Sequence, residues 1–167
     1  MARRLIRSVP NYFTVDSSPV SDACTLACFA KWSGTTGGAF GDQRVFSTGN
    51  SADGFGTGLI LNEGTPAWRY QSYTGAQALI TGSAINSGQW YHVAGVRASA
   101  ASHALYKDGV LDGTDSTSVS SGTNNRIRIG QYLNASFDQS FDGHLAEMAI
   151  WNTGLTAGEI KALASGM

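Results

Sequence analysis

Charge is scarce in this chain: Asp, Glu, Lys and Arg make up 14% of its 167 residues, against about 25% in an average soluble domain. The formal net charge of -1 leaves no broad basic field for nucleic acid and no acidic one for basic partners. Glutamate is limited to Glu63, Glu147 and Glu159, too scattered to line up as paired carboxylates along one strand. That removes the glucanase arrangement, in which acid and nucleophile face each other about 5 Å apart across a sugar bond. With only three prolines the chain is no Pro-rich linker. No apolar run approaches the roughly 20 residues of a membrane-spanning helix.

The two cysteines are equally restrictive. Cys24 and Cys28 lie four residues apart in an apolar run, so a strand would hold them roughly 13 Å apart, beyond the reach of a disulfide. Without a nearby Cys or His they make no zinc site, and they read as buried free thiols. The three histidines sit in strand-like contexts, and no G-x-S-x-G elbow precedes a helix, so nothing marks a hydrolase triad.

What is abundant suits strands and tight turns: 21 glycines with many Ser and Thr. In "CTLACFAKW" both alternating faces, Cys24-Leu26-Cys28-Ala30 and Thr25-Ala27-Phe29-Lys31, are largely apolar, which predicts a central strand. "GQWYHVAGVR" predicts a strand over Trp90 to Arg97. "ALYKDGVLDG" predicts a hairpin in which Asp108-Gly109 supplies the two positive φ values of a type I′ turn. "RIRIGQY" alternates Arg126 and Arg128 against Ile127 and Ile129, a strand with one wet face. Thr156 and Glu159 form a capping box for a short helix that ends near Gly166. In "FDGHLAEMAIWN", Asp142-Gly143 reads as a bend and the rest as a strand that points His144 and Glu147 to opposite faces, so they form no acid/base pair. The expected fold is all-β, a two-sheet antiparallel β-sandwich with one short C-terminal helix.

In this order, "CTLACFAKW", "GQWYHVAGVR", "LYKDGVL" and "FDGHLAEMAIWNTGLTAGEIKAL" resemble the laminin-G-like and pentraxin-like (LamG) branch of the concanavalin A-like jelly rolls. The resemblance covers most of the chain and implies a jelly roll over residues 11–167. It also implies that Glu147 is a buried structural acid accepting hydrogen bonds from neighbouring loop amides, and that rim carboxylates can hold calcium. Asp42, Asp53, Asn62 and Asp138 are the calcium candidates; no other cofactor is expected. Jelly rolls of this kind include lectins, enzyme appendages and virion proteins, so fold alone assigns no function.

Two binding surfaces are expected. "PAWRYQSYTG" sets Trp68 and Tyr70 on one face of a strand with Tyr73 beyond, a candidate carbohydrate-stacking platform whose alternative is core packing. Residues 1–10 carry Arg3, Arg4, Leu5, Ile6 and Arg7 ahead of the first family-like segment; they read as a basic arm docking on a partner, and residues 8–167 are left with eight basic against twelve acidic residues, a net of -4. Arg7 and Pro10 interrupt anything like a secretion signal, so synthesis in a host cytoplasm is expected. The leading expectation is a non-enzymatic bacteriophage virion protein, a capsid decoration or particle-surface component whose partners are other virion proteins or its own copies, with no nucleic-acid or membrane partner. A glycan-binding host-recognition module is the alternative, and a glycan hydrolase a weaker one.

Overall fold

The computed structural model describes residues 2–5, 12–16, 23–37, 41–49, 56–120, 126–133 and 139–166. They form strands β1 (Arg3–Leu5), β2 (Phe13–Val15), β3 (Cys24–Trp32), β4 (Asp42–Gly49), β5 (Gly56–Asn62) and β6 (Ala67–Tyr73). These continue with β7 (Gln77–Ala84), β8 (Trp90–Ser99), β9 (Ser102–Lys107), β10 (Val110–Asp115), β11 (Arg126–Ile129) and β12 (Gly143–Trp151), and end in helix α1 (Ala157–Ala164). The strands make two antiparallel six-stranded sheets, ordered β1-β12-β3-β8-β9-β10 and β2-β11-β4-β5-β6-β7. The expected two-sheet sandwich with one short helix is the fold.

Strand β3 is central, paired with β12 and β8, and only Lys31 within it escapes burial. Its Leu26, Cys28, Ala30 and Trp32 enter the core between the sheets, where they meet Phe46, Leu59, Leu61, Trp68 and Tyr70. The opposite face is covered at one end by the C-terminal segment. Ala27, Ala94, Val96 and Tyr106 pack under Ile160 of α1. Thr25 Oγ1 fastens this segment, donating to Thr153 O at 2.8 Å and accepting from Leu155 N at 2.9 Å. The capping box is present: Glu159 N donates to Thr156 Oγ1 and Thr156 N to Glu159 Oε2.

The hairpin turn also has its expected geometry, with φ of 51° at Asp108 and 76° at Gly109. Asp108 closes it further by accepting from His92 N at 2.9 Å. Gly109 serves a second purpose: a Cβ there would lie 3.0 Å from Ala164 Cβ and 3.1 Å from Lys161 Cα, so the missing side chain lets α1 sit close.

Three expectations need correction. Residues 3–5 are an edge strand, with Arg3, Arg4 and Leu5 opposite Leu145, His144 and Gly143, and Leu5 is 1% exposed in the core; Ile6 and Arg7 lie outside the described residues. The separate arm over residues 1–10 therefore does not hold at Leu5. In β12 a bulge between Ala146 and Ala149 reverses the side-chain phase. Leu145 faces the core before it, Met148 and Ile150 pack on the core after it, and Trp151 turns outward against the residues beneath α1. Arg128 is not on a wet face, being 9% exposed. Asp112 and Asp115 lie on β10 and accept from Ser83 N and Leu79 N at 2.9 and 3.0 Å. They cap open amides on the edge of β7 and tie the two sheets together there.

Candidate functional site

Register places an arginine-rich surface on the outer face of the second sheet. Thr14, Arg128, Ser47, Gly58, Gln71 and Leu79 stand opposite one another in a single row crossing all six strands. Arg44, Ile60, Arg69 and Thr81 make the next row. Because side chains alternate along strands, both rows point away from Leu59 and Tyr70 in the core. With Arg126 two residues from Arg128, four arginines share this face.

Their partners differ. Arg69 Nη1 pairs with Asp42 Oδ1 at 3.1 Å and its Nε donates to Thr81 Oγ1; Arg126 Nε pairs with Asp16 Oδ1 at 2.6 Å. Arg44 and Arg128 are buried and lie in no ion pair among the described residues. Arg44 Nη1 donates to Gln71 Oε1 at 2.8 Å and Nε to Gln139 Oε1 at 3.3 Å, while its Cζ lies 4.8 Å from the Tyr132 ring centroid. Arg128 Nη1 donates to Tyr132 O at 3.0 Å, and its Cζ lies 4.8 Å from the Tyr12 ring. Burial pulls the Arg44 guanidinium below its ordinary pKa, but arginine keeps its charge in proteins. Asp42 acts on Arg44 from beyond ion-pair distance and offsets part of its burial; its direct contacts are neutral acceptors and a ring face, which leaves room for a further anion.

Arg44 borders a cavity of about 130 Å³ lined also by Ser47, Thr57, Gln71, Tyr73 and Tyr132. Ser47 Oγ is buried there and meets no hydrogen-bond partner among the described residues. Gly58 keeps space for the guanidinium, since a Cβ would sit 3.3 Å from Arg44 Nη1 and 2.8 Å from Phe46 O. Arginine, amide, hydroxyl and aromatic groups converging on a concave pocket are the features of a small polar-ligand site.

The structure separates the expected sugar platform. Trp68 and Tyr70 are fully buried between the sheets, Trp68 at 6.4 Å from the Tyr91 ring and 6.3 Å from the Phe141 ring, so neither offers a face to a sugar. They share the core-facing side of β6, and a large aromatic gains more by leaving water than by lying on it. Tyr73, half-buried at the end of β6, lines the cavity.

Glu147 is also corrected: it is exposed, with φ of 49°, at the bulge of β12. Glu63 holds the buried position instead, 8% exposed, accepting from Gln43 Nε2 at 2.8 Å and Gly37 N at 2.6 Å. Asp142 acts through its backbone, its N donating to Gln43 Oε1 and its O accepting from Ser33 N.

Of the calcium candidates, Asp42 and Asn62 stand opposite each other on β4 and β5. Asp42 is turned to Arg69, and Asn62 is engaged by Thr65 Oγ1 and Gly64 N. Burial pushes the Asp42 carboxyl up, against the pull of Arg44 and Arg69. Asp53 and Asp138 lie outside the described residues. Among the described residues no three His, Cys, Asp or Glu are grouped to hold a metal ion.

The described arginines and the cavity were legible in sequence only as residues of the right type. Their convergence depends on the β4 bulge between Arg44 and Phe46, which sets Arg44 on the outer face while Val45 and Phe46 both enter the core.

Solved structures with the same fold are numerous. A native heptameric SAP-like pentraxin from Limulus polyphemus superimposes with a TM-score of 0.70 at 22% identity, covering 92% of this chain and 75% of that one. The CBM40 of the Ruminococcus gnavus IT-sialidase, bound to α2,3-sialyllactose, gives 0.70 at 16% identity over 87% of this chain and 84% of that one. A Trypanosoma rangeli sialidase gives 0.64 at 20% identity, but this chain spans only 22% of it. At these identities the likeness is one of fold. No match is found among curated proteins. A family model of the laminin-G type matches residues 8–161, nearly the whole sandwich, and the chain accordingly belongs to the concanavalin A-like lectin/glucanases superfamily.

Proposed function

We propose that the protein is a non-enzymatic glycan-binding module whose ligand occupies the cavity on the outer face of the second sheet. The observation that carries this reading is Arg44: a buried guanidinium at a cavity wall, held directly by Gln71, Gln139 and the Tyr132 ring, and in no ion pair among the described residues, with Asp42, already paired to Arg69, acting on it only from beyond contact. Such a group rewards a ligand carboxylate or a pair of sugar hydroxyls, and the Ser47 hydroxyl adds a second polar contact. A sialylated glycan bound to a module of this fold, the Ruminococcus gnavus CBM40, supports the ligand class.

Glycan-array binding followed by titration calorimetry tests it. Ser47→Ala and Tyr73→Ala should weaken binding, and Arg44→Gln should weaken it most. Because Arg44 is buried, its variant is compared with the two milder ones at matched thermal stability. Unaltered affinity in all three would remove the cavity as the site.

The virion reading drew its support from a basic arm free to dock elsewhere. With β1 paired to β12 and Leu5 in the core, that support is reduced, and glycan binding takes first place.

A further inference from the structure

The outer face of the first sheet carries a second row that the cavity does not use. Across β1, β12, β3 and β8, Arg4 stands opposite His144, His144 opposite Lys31, and Lys31 opposite Trp90. Neighbouring strands are about 4.8 Å apart, so three basic side chains and an indole fall on one line, with the cations spanning about 10 Å. The contacts bear out the register. Lys31 Nζ lies 5.3 Å from the Trp90 ring centroid, and the Trp90 and His144 rings meet edge to face at 6.2 Å. Arg4 is exposed, and Lys31, His144 and Trp90 are partly so.

Helix α1 explains why this end stays open. It covers the outward side chains of β3 and β8 near Ala27 and Ala94, while Lys31 and Trp90 keep part of their surface exposed. No carboxylate lies within ion-pair distance of Arg4 or Lys31 among the described residues. A cationic row left unneutralised on a chain of net charge -1 is a local feature that calls for a local anion.

We propose that this row is an interaction surface for an acidic polysaccharide, whose carboxylates pair with Arg4 and Lys31 while one sugar ring packs against Trp90. The proposal is independent of the cavity, which lies on the other sheet. An indole set between cations fits a ligand that is apolar on a ring face and anionic at its rim. Three basic residues, on a sheet whose other strand positions balance Arg3, Arg97 and Lys107 against Asp112, Asp115 and Glu147, give a thin footprint for nucleic acid, whose binding draws on wide positive fields.

His144 adds a dependence on pH. Burial, with Lys31 and Arg4 beside it, holds its imidazole below the ordinary value, while Asp142 pulls the other way; Trp90, its neighbour from β8, carries no charge. It is therefore neutral near pH 7 and becomes a third cation on acidification, so polyanion affinity should rise as pH falls through the depressed value.

Binding of an oligogalacturonate, a neutral oligosaccharide of equal length and a single-stranded oligonucleotide of equal charge would be compared by calorimetry at pH 5 and pH 7.5. The oligogalacturonate should bind best and more tightly at pH 5. The double variant R4Q/K31Q should lose about tenfold or more, as expected for two charge-assisted contacts, with its melting temperature unchanged. W90A should weaken oligogalacturonate more than oligonucleotide. Because the cavity also favours a carboxylate, the loss in R4Q/K31Q is measured in an Arg44→Gln background as well, and an equal fold-loss there separates this surface from the cavity. Wild-type affinity in both R4Q/K31Q and the single variant K31Q would overturn the proposal. So would an oligonucleotide binding as tightly as the oligogalacturonate with no selective effect of W90A, since the row would then read charge alone.

Discussion

The side-chain amide of Gln43 donates to the buried carboxylate of Glu63 at 2.8 Å and to Thr35 O at 2.7 Å, while its carbonyl accepts from Asp142 N at 2.8 Å. One side chain thus joins β4, the loop after β3, the turn after β5 and the segment entering β12. Glu63→Gln places an NH₂ where Gly37 N or the Gln43 amide now donates. The expected cost is about 1–3 kcal/mol, the loss associated with a buried group left without its partner. Urea unfolding measures it, and an unchanged midpoint would show that the network does not bear on stability.

Glu147 should behave in the opposite way. Exposed at a bulge, Glu147→Gln is expected to change stability by less than about 0.5 kcal/mol. Glu147→Gly should stabilise, on the order of 1 kcal/mol, because a positive φ of 49° is strained for a residue with a Cβ and free for glycine. Thermal melts of the two variants side by side check both signs.

The contrast between these two glutamates shows what the sequence carries and what it does not. Strand β3, the Asp108-Gly109 turn and the capped helix are written in local pattern: alternation, turn chemistry and a cap three residues from its partner. Glu147 was misplaced because the resemblance and period-2 reasoning both run straight through a bulge, and nothing in "HLAEMAIW" announces the extra residue. Arg44 was missed for the same reason, with the bulge on β4. Trp68 and Tyr70 were correctly placed on one face of β6, but which face is the core depends on the opposing sheet, a matter of tertiary packing. The row Arg4-His144-Lys31-Trp90 brings together four segments far apart in sequence, and only strand register reveals it.

The buried thiols give a pH-dependent outcome. Burial pushes Cys24 from 9.0 to about 11, with Arg97 and Thr57 opposing, and pushes Cys28 higher still by desolvation alone. The folded chain therefore holds both as thiols at pH 8, and iodoacetamide should label neither until urea is added. Because the folded values lie above those of the unfolded chain, the unfolded state releases these protons first. Stability is fully retained below about pH 9 and falls as pH climbs towards 11. Replacing both by Ala or Ser should flatten that alkaline limb; a limb unchanged by the replacements would assign it to other groups.

Strand β1 supplies the last prediction, and it concerns a segment that composition alone would mark as dispensable. Residues 3–5 add an edge strand to β12, and Leu5, 1% exposed, joins the same core cluster as Trp32, Phe141 and Leu145. Leu5→Ala should cost about 2–5 kcal/mol, the range for a buried leucine whose neighbours close only partly over the cavity. Deleting residues 2–5 removes that packing and also bares the edge of β12, whose amides would then be open to pairing with another chain. The truncated protein should melt at lower temperature and aggregate on heating, whereas Arg4→Gln, which alters only an exposed side chain, should melt like the parent. Equal melting temperatures for the parent and the truncated protein would show that the sandwich closes without β1, and would restore the segment to the role of a separable arm.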